Sequence, residues 1–182
     1  MNKNNEFTLM SISPIDGRYS HQINQEIKKI NSEYWLIKYR VHVEVSWFIF
    51  LLSLAPIKKK FGINKNEKAY LTKISKNFNL NDALEIKEIE KKINHDVKSV
   101  EYFLKSKFNK HETLKNKKEL IHFCATSEDI NNISYALMYS DSRKILLKQL
   151  NDVLGVLKKH KKKYANTQML SRTKETKASQ TT

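Results

Sequence analysis

Apolar residues recur at steps of three and four through most of this chain, which is the spacing of an amphipathic α-helix. The clearest run begins after Ser32, a suitable N-cap, and continues to Leu54, where Pro56 is predicted to end it. Its apolar positions are Trp35, Leu36, Tyr39, Val43, Trp47, Phe50 and Leu51. Similar spacing predicts shorter helices over 22–31, 66–78, 82–93 and 96–108.

A longer apolar stripe runs from near Ser127 to about Tyr164 without a proline. A helix of that length greatly exceeds the average of about 12 residues in globular proteins, so it needs packing partners along its length. A polar, lysine-rich connector at 111–118 precedes it, and a second basic loop is predicted at 58–65. The pattern predicts an N-terminal helical domain over 1–114 and the start of a helical-bundle domain over 115–182.

Composition favours helices over strands. The chain has only three Gly and two Pro, and an all-β protein needs many turns built from those residues. The predicted fold class is therefore all-α. The most apolar stretch, 45–55, is about half the ~20 residues that span a bilayer, so we interpret it as a buried helix. Residues 1–13 show no apolar signal segment, and the single Cys124 fits a reducing cytosol.

The charge is strongly positive, at +15 from 34 basic and 19 acidic residues. Such a charge raises the possibility of a nucleic-acid-binding module. Base readout and bidentate phosphate contacts rely on arginine, however, and nearly all of the basic residues here are lysines. We interpret the charge mainly as solvated helix faces. The only arginines are Arg18, Arg40, Arg143 and Arg172.

Three polar clusters stand out from this pattern. In the first, at 13–19, Arg18 and Tyr19 follow turn-forming residues, and together they offer a planar fork and a phenol to a phosphate or carboxylate. An ordinary surface turn explains the same residues. In the second, Asn94, His95 and Asp96 open a helix, where backbone N–H groups attract anions and a histidine can transfer protons. A helix cap at Asn94 or Asp96 is the structural alternative.

The third cluster lies at 126–132, where the long helix begins. Thr126 and Asp129 have the spacing of a capping box. Thr126 and Ser127 also place two hydroxyls at a helix start, which can hold a carboxylate or phosphate. A cap without further function is the alternative. The histidines and the one cysteine show no metal-ligand spacing, so no metal site is predicted.

Taken together, these stretches resemble the adenylosuccinate lyase family of the bacterial type, within the fumarase/aspartase superfamily. The matching segments occur in the family's order and at about its distances, and they cover nearly the whole chain up to Thr173. Their combination separates this branch from fumarases and argininosuccinate lyases. The segments are SPIDGRY at 13–19, KYRVHVEVSW at 38–47, NHDVKSVEYFL at 94–104, FCATSEDINN at 123–132 and MLSRT at 169–173.

The resemblance implies a helical N-terminal domain followed by a long-helix bundle that assembles as a cytoplasmic homotetramer. It implies β-elimination of fumarate from adenylosuccinate, giving AMP, and from SAICAR, giving AICAR. No cofactor, membrane or specific nucleic-acid partner is expected.

The resemblance also assigns roles to residues. It makes His95 catalytic, beside the family's acid histidine, and places Arg18 and Tyr19 on the substrate phosphate. It implies that Thr126 and Ser127 bind a carboxylate of the substrate at the helix start. The substrate-binding residues it implies are Arg18, Tyr19, Asn94, His95, Asp96, Thr126 and Ser127.

The match fails after Thr173. The family motif continues there with His-Gly-Gln, whose histidine is the general acid, whereas this chain has Lys174. A lysine with an ordinary pKa of about 10.4 is a poor substitute near neutral pH. The serine-bearing Gly-Ser-Ser-x-Met-Pro-x-Lys loop is missing from the sequence as well. The family builds each active site from three chains, so we expect a truncated, inactive product of a frameshift or premature stop.

Two other classes of function stay open. A basic nucleic-acid-binding module predicts duplex binding that weakens steeply with salt. A non-catalytic assembly fragment would instead dock on intact lyase subunits.

Overall fold

The computed structural model describes residues 9–11, 19, 21–22, 24–170 and 180–181. Within these ranges the regular secondary structure is helical apart from two short strands, β1 (Met169–Leu170) and β2 (Gln180–Thr181), which pair antiparallel. The predicted all-α class is confirmed. The helices are α1 (Gln25–Ile30), α2 (Glu33–Leu51), α3 (Ala55–Phe61), α4 (Lys65–Lys76), α5 (Leu80–Ile93), α6 (Asp96–Asn109), the 3₁₀ helix η1 (Leu114–Leu120) and α7 (Ser127–Tyr164).

Helix α2 begins where the sequence predicts and ends earlier. The Ser32 hydroxyl caps it by accepting a hydrogen bond from the Trp35 N–H at 3.4 Å. The helix ends at Leu51, and Pro56 lies in the first turn of α3. The prediction that Pro56 ends α2 was therefore wrong. The basic loop predicted at 58–65 is confined to 62–64, because 58–61 belong to α3 and α4 begins at Lys65. The missing N–H of proline costs nothing in a first turn, so Pro56 starts a helix here.

In the part of the chain up to Ser142, the hydrophobic core surrounds α2, which packs against α4, α5 and α6. Ile37, Val41 and Phe48 lie on one face of α2 and are at most 1% exposed. Phe48 meets Phe108 of α6 edge to face, with ring centroids 5.0 Å apart. Burying each such side chain stabilises the fold by about 1.5–3 kcal/mol, so α2 is fixed firmly enough to position other segments.

Asparagine capping boxes start α4 and α5. The Asn64 side chain accepts from the Glu67 N–H at 2.8 Å, and the Glu67 carboxylate accepts from the Asn64 N–H at 2.9 Å. Asn79 and Asp82 repeat the arrangement at α5. Asparagine is a favoured N-cap, and these boxes explain why both helices begin one or two residues before the predicted positions.

The chain groups into two compact units, one ending at Ser142 and the other beginning at Arg143. In the first unit, the predicted polar connector forms η1, whose Leu114 is fully buried in the core. The domain boundary between 114 and 115 stays a prediction. The predicted long helix is confirmed as α7. In the second unit, α7 carries exposed apolar residues at Leu146, Leu150, Val153 and Leu157.

In the part of the chain that the structure describes, no single helix has the length and apolarity to cross a membrane. Only the pair α2 and α3 reaches that threshold, and the two are bent by 90°.

Candidate functional site

One face of α2 contacts both helix starts that the sequence singles out. Arg40, Val43, Glu44 and Trp47 are spaced i, i+3, i+4 and i+7, so they share that face. Each of them reaches a segment far along the chain. The segments are the start of α6, the start of α7 and the connector between η1 and α7.

Arg40 joins the two helix starts directly. Its side chain is buried, its Nε donates to the Asn131 Oδ1 at 2.9 Å, and its Nη2 contacts the Asp96 Oδ2 at 2.5 Å. Asp96 is the first residue of α6, and Asn131 lies in the second turn of α7. The rigid guanidinium fork therefore fixes the two starts relative to each other.

The α6 start differs from the predicted cap. His95 is the N-cap, and its Nδ1 accepts from the Lys98 N–H at 3.2 Å. Asn94 instead closes α5, in the left-handed conformation at φ 53° that asparagine tolerates. Because Nδ1 accepts, the neutral His95 ring carries its proton on Nε2. The imidazole is about half exposed, so it can meet a ligand while it caps the helix.

The α7 start is the predicted capping box. The Thr126 hydroxyl and N–H both donate to the Asp129 Oδ2, at 2.9 and 2.7 Å, and the Asp129 N–H returns a bond to the Thr126 Oγ1 at 3.3 Å. The Thr126 N–H lowers the pKa of Asp129 below its usual value, with the hydroxyl adding to this effect. Ser127 is half-buried, and its hydroxyl makes no hydrogen bond among the described residues.

The connector before α7 is held by α2. The Trp47 Nε1 donates to the Phe123 carbonyl at 2.8 Å, and the His122 Nδ1 lies 2.6 Å from the Glu44 Oε1. His122 and Cys124 both have positive φ, at 63° and 57°, which is strained for residues other than glycine. Such strain persists only where surrounding contacts impose it, and it is concentrated at functional sites.

Glu44 resembles a positioning carboxylate. It is fully buried, its second oxygen has no hydrogen-bond partner among the described residues, and its first oxygen fixes the His122 ring. A carboxylate on Nδ1 leaves the opposite nitrogen of the imidazole for a ligand. Sequence reasoning assigned no role to Arg40, Glu44 or His122. The signal available to find the first two was that Arg40 and Glu44 share a helix face with the apolar Val43 and Trp47.

Apolar packing completes the site. Val43 of α2, Val97 of α6 and Ile130 of α7 form one buried cluster. Beside it opens a cavity of about 260 Å³. Its lining residues are Val43, Trp47, Cys124, Ala125, Asp129, Ile130 and Ile133.

Not every predicted site residue lies in this arrangement. Tyr19 is exposed, and its carbonyl accepts from the Gln22 N–H at 2.9 Å in a turn. Arg18 lies outside the described residues. The assignment of Arg18 and Tyr19 to a phosphate therefore stays a prediction. Across the described ranges, no three His, Cys, Asp or Glu side chains cluster in a way that could hold a metal ion.

A pH-dependent stability follows from Glu44. Burial raises its pKa above the usual 4.5, and the contact with His122 offsets this only in part. The folded chain thus holds this proton more tightly than the unfolded chain, and the carboxyl loses stabilising effect as pH rises from 4.5 through its folded pKa. We expect Glu44→Gln to become progressively more stable relative to the wild type over that rise, as measured by urea unfolding at several pH values.

The matched control is Glu112→Gln, which changes an exposed glutamate. Its stability should follow the wild type at every pH. Parallel curves for Glu44→Gln and the wild type would show that the buried carboxyl does not titrate differently in the folded state.

Comparisons with known proteins agree with the resemblance seen in the sequence. The family model described as Lyase matches residues 17–182. Adenylosuccinate lyases from Buchnera aphidicola (Acyrthosiphon pisum), Escherichia coli K12 and Legionella pneumophila Corby are 42%, 41% and 40% identical over 167, 167 and 175 residues. These alignments cover 91%, 91% and 96% of the chain, which spans only 36–38% of the relatives' length. They favour a lyase over a nucleic-acid-binding module.

Proposed function

Because this chain belongs to the Lyase family, we propose that it supplies one part of the active site of an adenylosuccinate lyase. The observation that carries this proposal is the fixed pairing of two helix starts by Arg40. One start presents His95, and the other presents Thr126 and Ser127. Helix starts attract anions, and the substrate of this reaction carries two carboxylates and a phosphate.

The reaction is a β-elimination. A base removes a proton from the carbon next to a carboxylate of the succinyl group, the carbon–nitrogen bond breaks, and an acid protonates the departing nitrogen. Fumarate leaves together with AMP when adenylosuccinate is the substrate, and with AICAR when SAICAR is the substrate. Carboxylate binding matters because it stabilises the negative charge that develops as the proton leaves.

The residues of this chain have distinct parts in that reaction. Thr126 and Ser127 hold a succinyl carboxylate at the start of α7. His95 lies near the substrate nitrogen that departs, beside the histidine that serves the family as general acid. His122, fixed through Nδ1 by Glu44, presents its other nitrogen to the same substrate. Asn94 and Asp96 shape the α6 start.

We further propose that residues 1–182 do not turn over substrate by themselves. The sequence has Lys174 where the family motif has its acid histidine, and it contains no serine-bearing loop. Turnover requires those groups and a homotetramer whose active sites are each built from several chains. We expect this assembly to be cytoplasmic. The partners of such an assembly are its small-molecule substrates and other copies of the lyase.

A chimeric enzyme tests the proposal. Residues 1–173 are joined to the remaining portion of the E. coli relative, and cleavage of adenylosuccinate is followed by absorbance. We expect turnover by the chimera and none by the 182-residue chain. His95→Ala in the chimera should lower kcat by about 10²–10⁴-fold, as expected for loss of a group in proton transfer.

The control variant is His160→Ala, which removes an exposed histidine of α7 and should keep full activity. A folded tetrameric chimera without turnover would contradict the proposed function. Unchanged kcat in the His95→Ala chimera would remove His95 from the chemistry.

A further inference from the structure

A second cleft lies on a different face of α2 from the candidate site. Trp35, Lys38, Tyr39 and His42 repeat the i, i+3, i+4, i+7 spacing, five residues before Arg40, Val43, Glu44 and Trp47. Five residues rotate a helix face by about 140°, so the two sets point in different directions. The cleft has a volume of about 350 Å³. It is lined by Trp35, Lys38, Tyr39, His42, Ser75, Lys76 and Asp141.

Lysine ammonium groups gather at this cleft. The Lys38 Nζ lies 4.4 Å from the centre of the Trp35 ring, and the Lys29 Nζ lies 5.1 Å from the same ring. Lys76 lines the cleft as well. Among the described residues, none of these three ammonium groups forms an ion pair with a carboxylate, whereas those of Lys87, Lys105, Lys107 and Lys117 do.

The crowding has an energetic cost. Burial lowers the pKa of Lys38, and the positive charge of Lys29 lowers it further. The ring faces of tryptophan attract cations, which explains why the lysines remain there. A bound anion would relieve both the repulsion and the loss of hydration.

The remaining groups of the cleft suit an oxyanion. Ser75 is buried, and its hydroxyl lies 3.1 Å from the His42 Nδ1. Asp141, the acidic group of the lining, accepts a hydrogen bond from the Tyr39 hydroxyl at 2.5 Å. Burial, helped by this bond, raises the pKa of Tyr39 to about 12, so the phenol keeps its proton. Hydroxyl and imidazole groups next to lysines can donate to several oxygens of one ligand.

We propose that this cleft binds the phosphate group of a small molecule, held between Lys38 and Lys76, at a site separate from the elimination site. Each lysine ammonium group acts as a point charge, so it can pair with any of the oxygens of a phosphate. Ser75 and His42 supply hydrogen bonds at the floor of the cleft. This inference does not depend on the proposed function.

The two tryptophans provide a direct test on the 182-residue chain. Their indole N–H signals are followed by ¹H–¹⁵N NMR while sodium phosphate replaces sodium chloride at constant ionic strength. We expect a saturable shift of the Trp35 signal and an unmoved Trp47 signal, because Trp47 lies on the other face of α2. Equal shifts of both signals, or a shift that does not saturate, would overturn the site.

Matched lysine variants sharpen the test. Lys38→Gln and Lys76→Gln should each weaken phosphate binding about tenfold, since each removes one charged contact. Lys73→Gln removes an exposed lysine of the same helix as Lys76 that does not line the cleft, and its binding should match the wild type. Equal affinities for all three variants would contradict the proposal.

Ribose 5-phosphate tests whether the natural ligand is a phosphate ester or free phosphate. Tighter binding of this ester than of inorganic phosphate identifies a phosphate monoester as the ligand. Equal affinity identifies free phosphate. Failure of both to shift the Trp35 signal rejects the site and leaves the proposed lyase function untouched.

Discussion

Glu67→Ala is expected to lower the free energy of unfolding by about 3–5 kcal/mol, the range for removing one partner of a buried ion pair. Glu67 is 1% exposed, and its carboxylate accepts from the Lys117 Nζ at 2.7 and 2.9 Å and from the Thr113 hydroxyl at 2.6 Å. It also accepts from the Asn64 N–H at 2.9 Å. The variant leaves the Lys117 ammonium without its carboxylate and removes half of the α4 capping box.

The effect should depend on pH. Burial alone would raise the pKa of Glu67, but the hydrogen bonds from Lys117, Thr113 and Asn64, with the Lys117 charge, lower it below the usual 4.5. The stabilisation is therefore present above pH 4.5 and is lost as pH falls through the folded pKa. Urea unfolding followed by circular dichroism at neutral and acidic pH should show the wild type and Glu67→Ala converging in acid.

Two further variants test which properties of Glu67 matter: its charge and its burial. Glu67→Gln keeps the side-chain volume and should lose the acid dependence while retaining part of the packing. Glu88→Ala breaks an exposed pair with Lys91 and should leave stability unchanged. A loss in Glu88→Ala as large as that in Glu67→Ala would show that burial does not set the strength of these pairs.

Local signals predicted most of the helices because they are encoded within a few residues. The Thr126–Asp129 box marks the α7 start in the sequence, and the structure has it there. The same locality explains the error at Pro56. A proline both disrupts the interior of a helix and suits the first turn of one, so Pro56 alone did not show that α2 ends at Leu51 and that a new helix begins at Ala55.

The cap of α6 shows a subtler limit. Asn94 and Asp96 are both favoured N-caps, and a histidine between them is not. In the structure Asn94 is used to close α5 in a left-handed conformation, so His95 takes the cap by default. Two helix ends compete for three polar residues, and their spacing alone does not say which end takes which residue.

The candidate site could be predicted only in part, because its positioning contacts join distant segments. Arg40 reaches Asn131 over 91 residues of sequence, and Glu44 reaches His122 over 78. Helical periodicity places both charges on one face of α2 but says nothing about what faces them. The helix starts and α2 were predicted from their own residues, whereas the contacts by which α2 positions the two starts were found only in the structure.

Arg40→Ala is expected to lower kcat of the chimeric enzyme about 10²-fold, although Arg40 lies at neither helix start itself. The guanidinium contacts Asp96 and Asn131 at the two helix starts. Without it, the starts shift relative to each other, and a misplacement of about 1 Å is enough for a loss of that size. Because Arg40 is buried, we also expect a loss of about 2–3 kcal/mol in the free energy of unfolding.

Arg40→Lys distinguishes positioning from charge. A lysine keeps the positive charge beside Asp96 but has no planar fork to reach Asn131 at the same time. We expect this variant to recover most of the stability and little of kcat, with KM changed less than kcat. Arg143→Ala, at an exposed arginine of α7, serves as the control and should match the parent chimera.

The steady-state constants decide what Arg40 does. Recovery of full kcat in Arg40→Lys would show that the charge next to Asp96 matters and the link to Asn131 does not. Full kcat in a destabilised Arg40→Ala chimera would show that the helix starts keep their places through the Val43 cluster alone. A loss of kcat in both variants, while Arg143→Ala keeps its activity, is the result that a positioning role requires, because only the fork joins both starts at once.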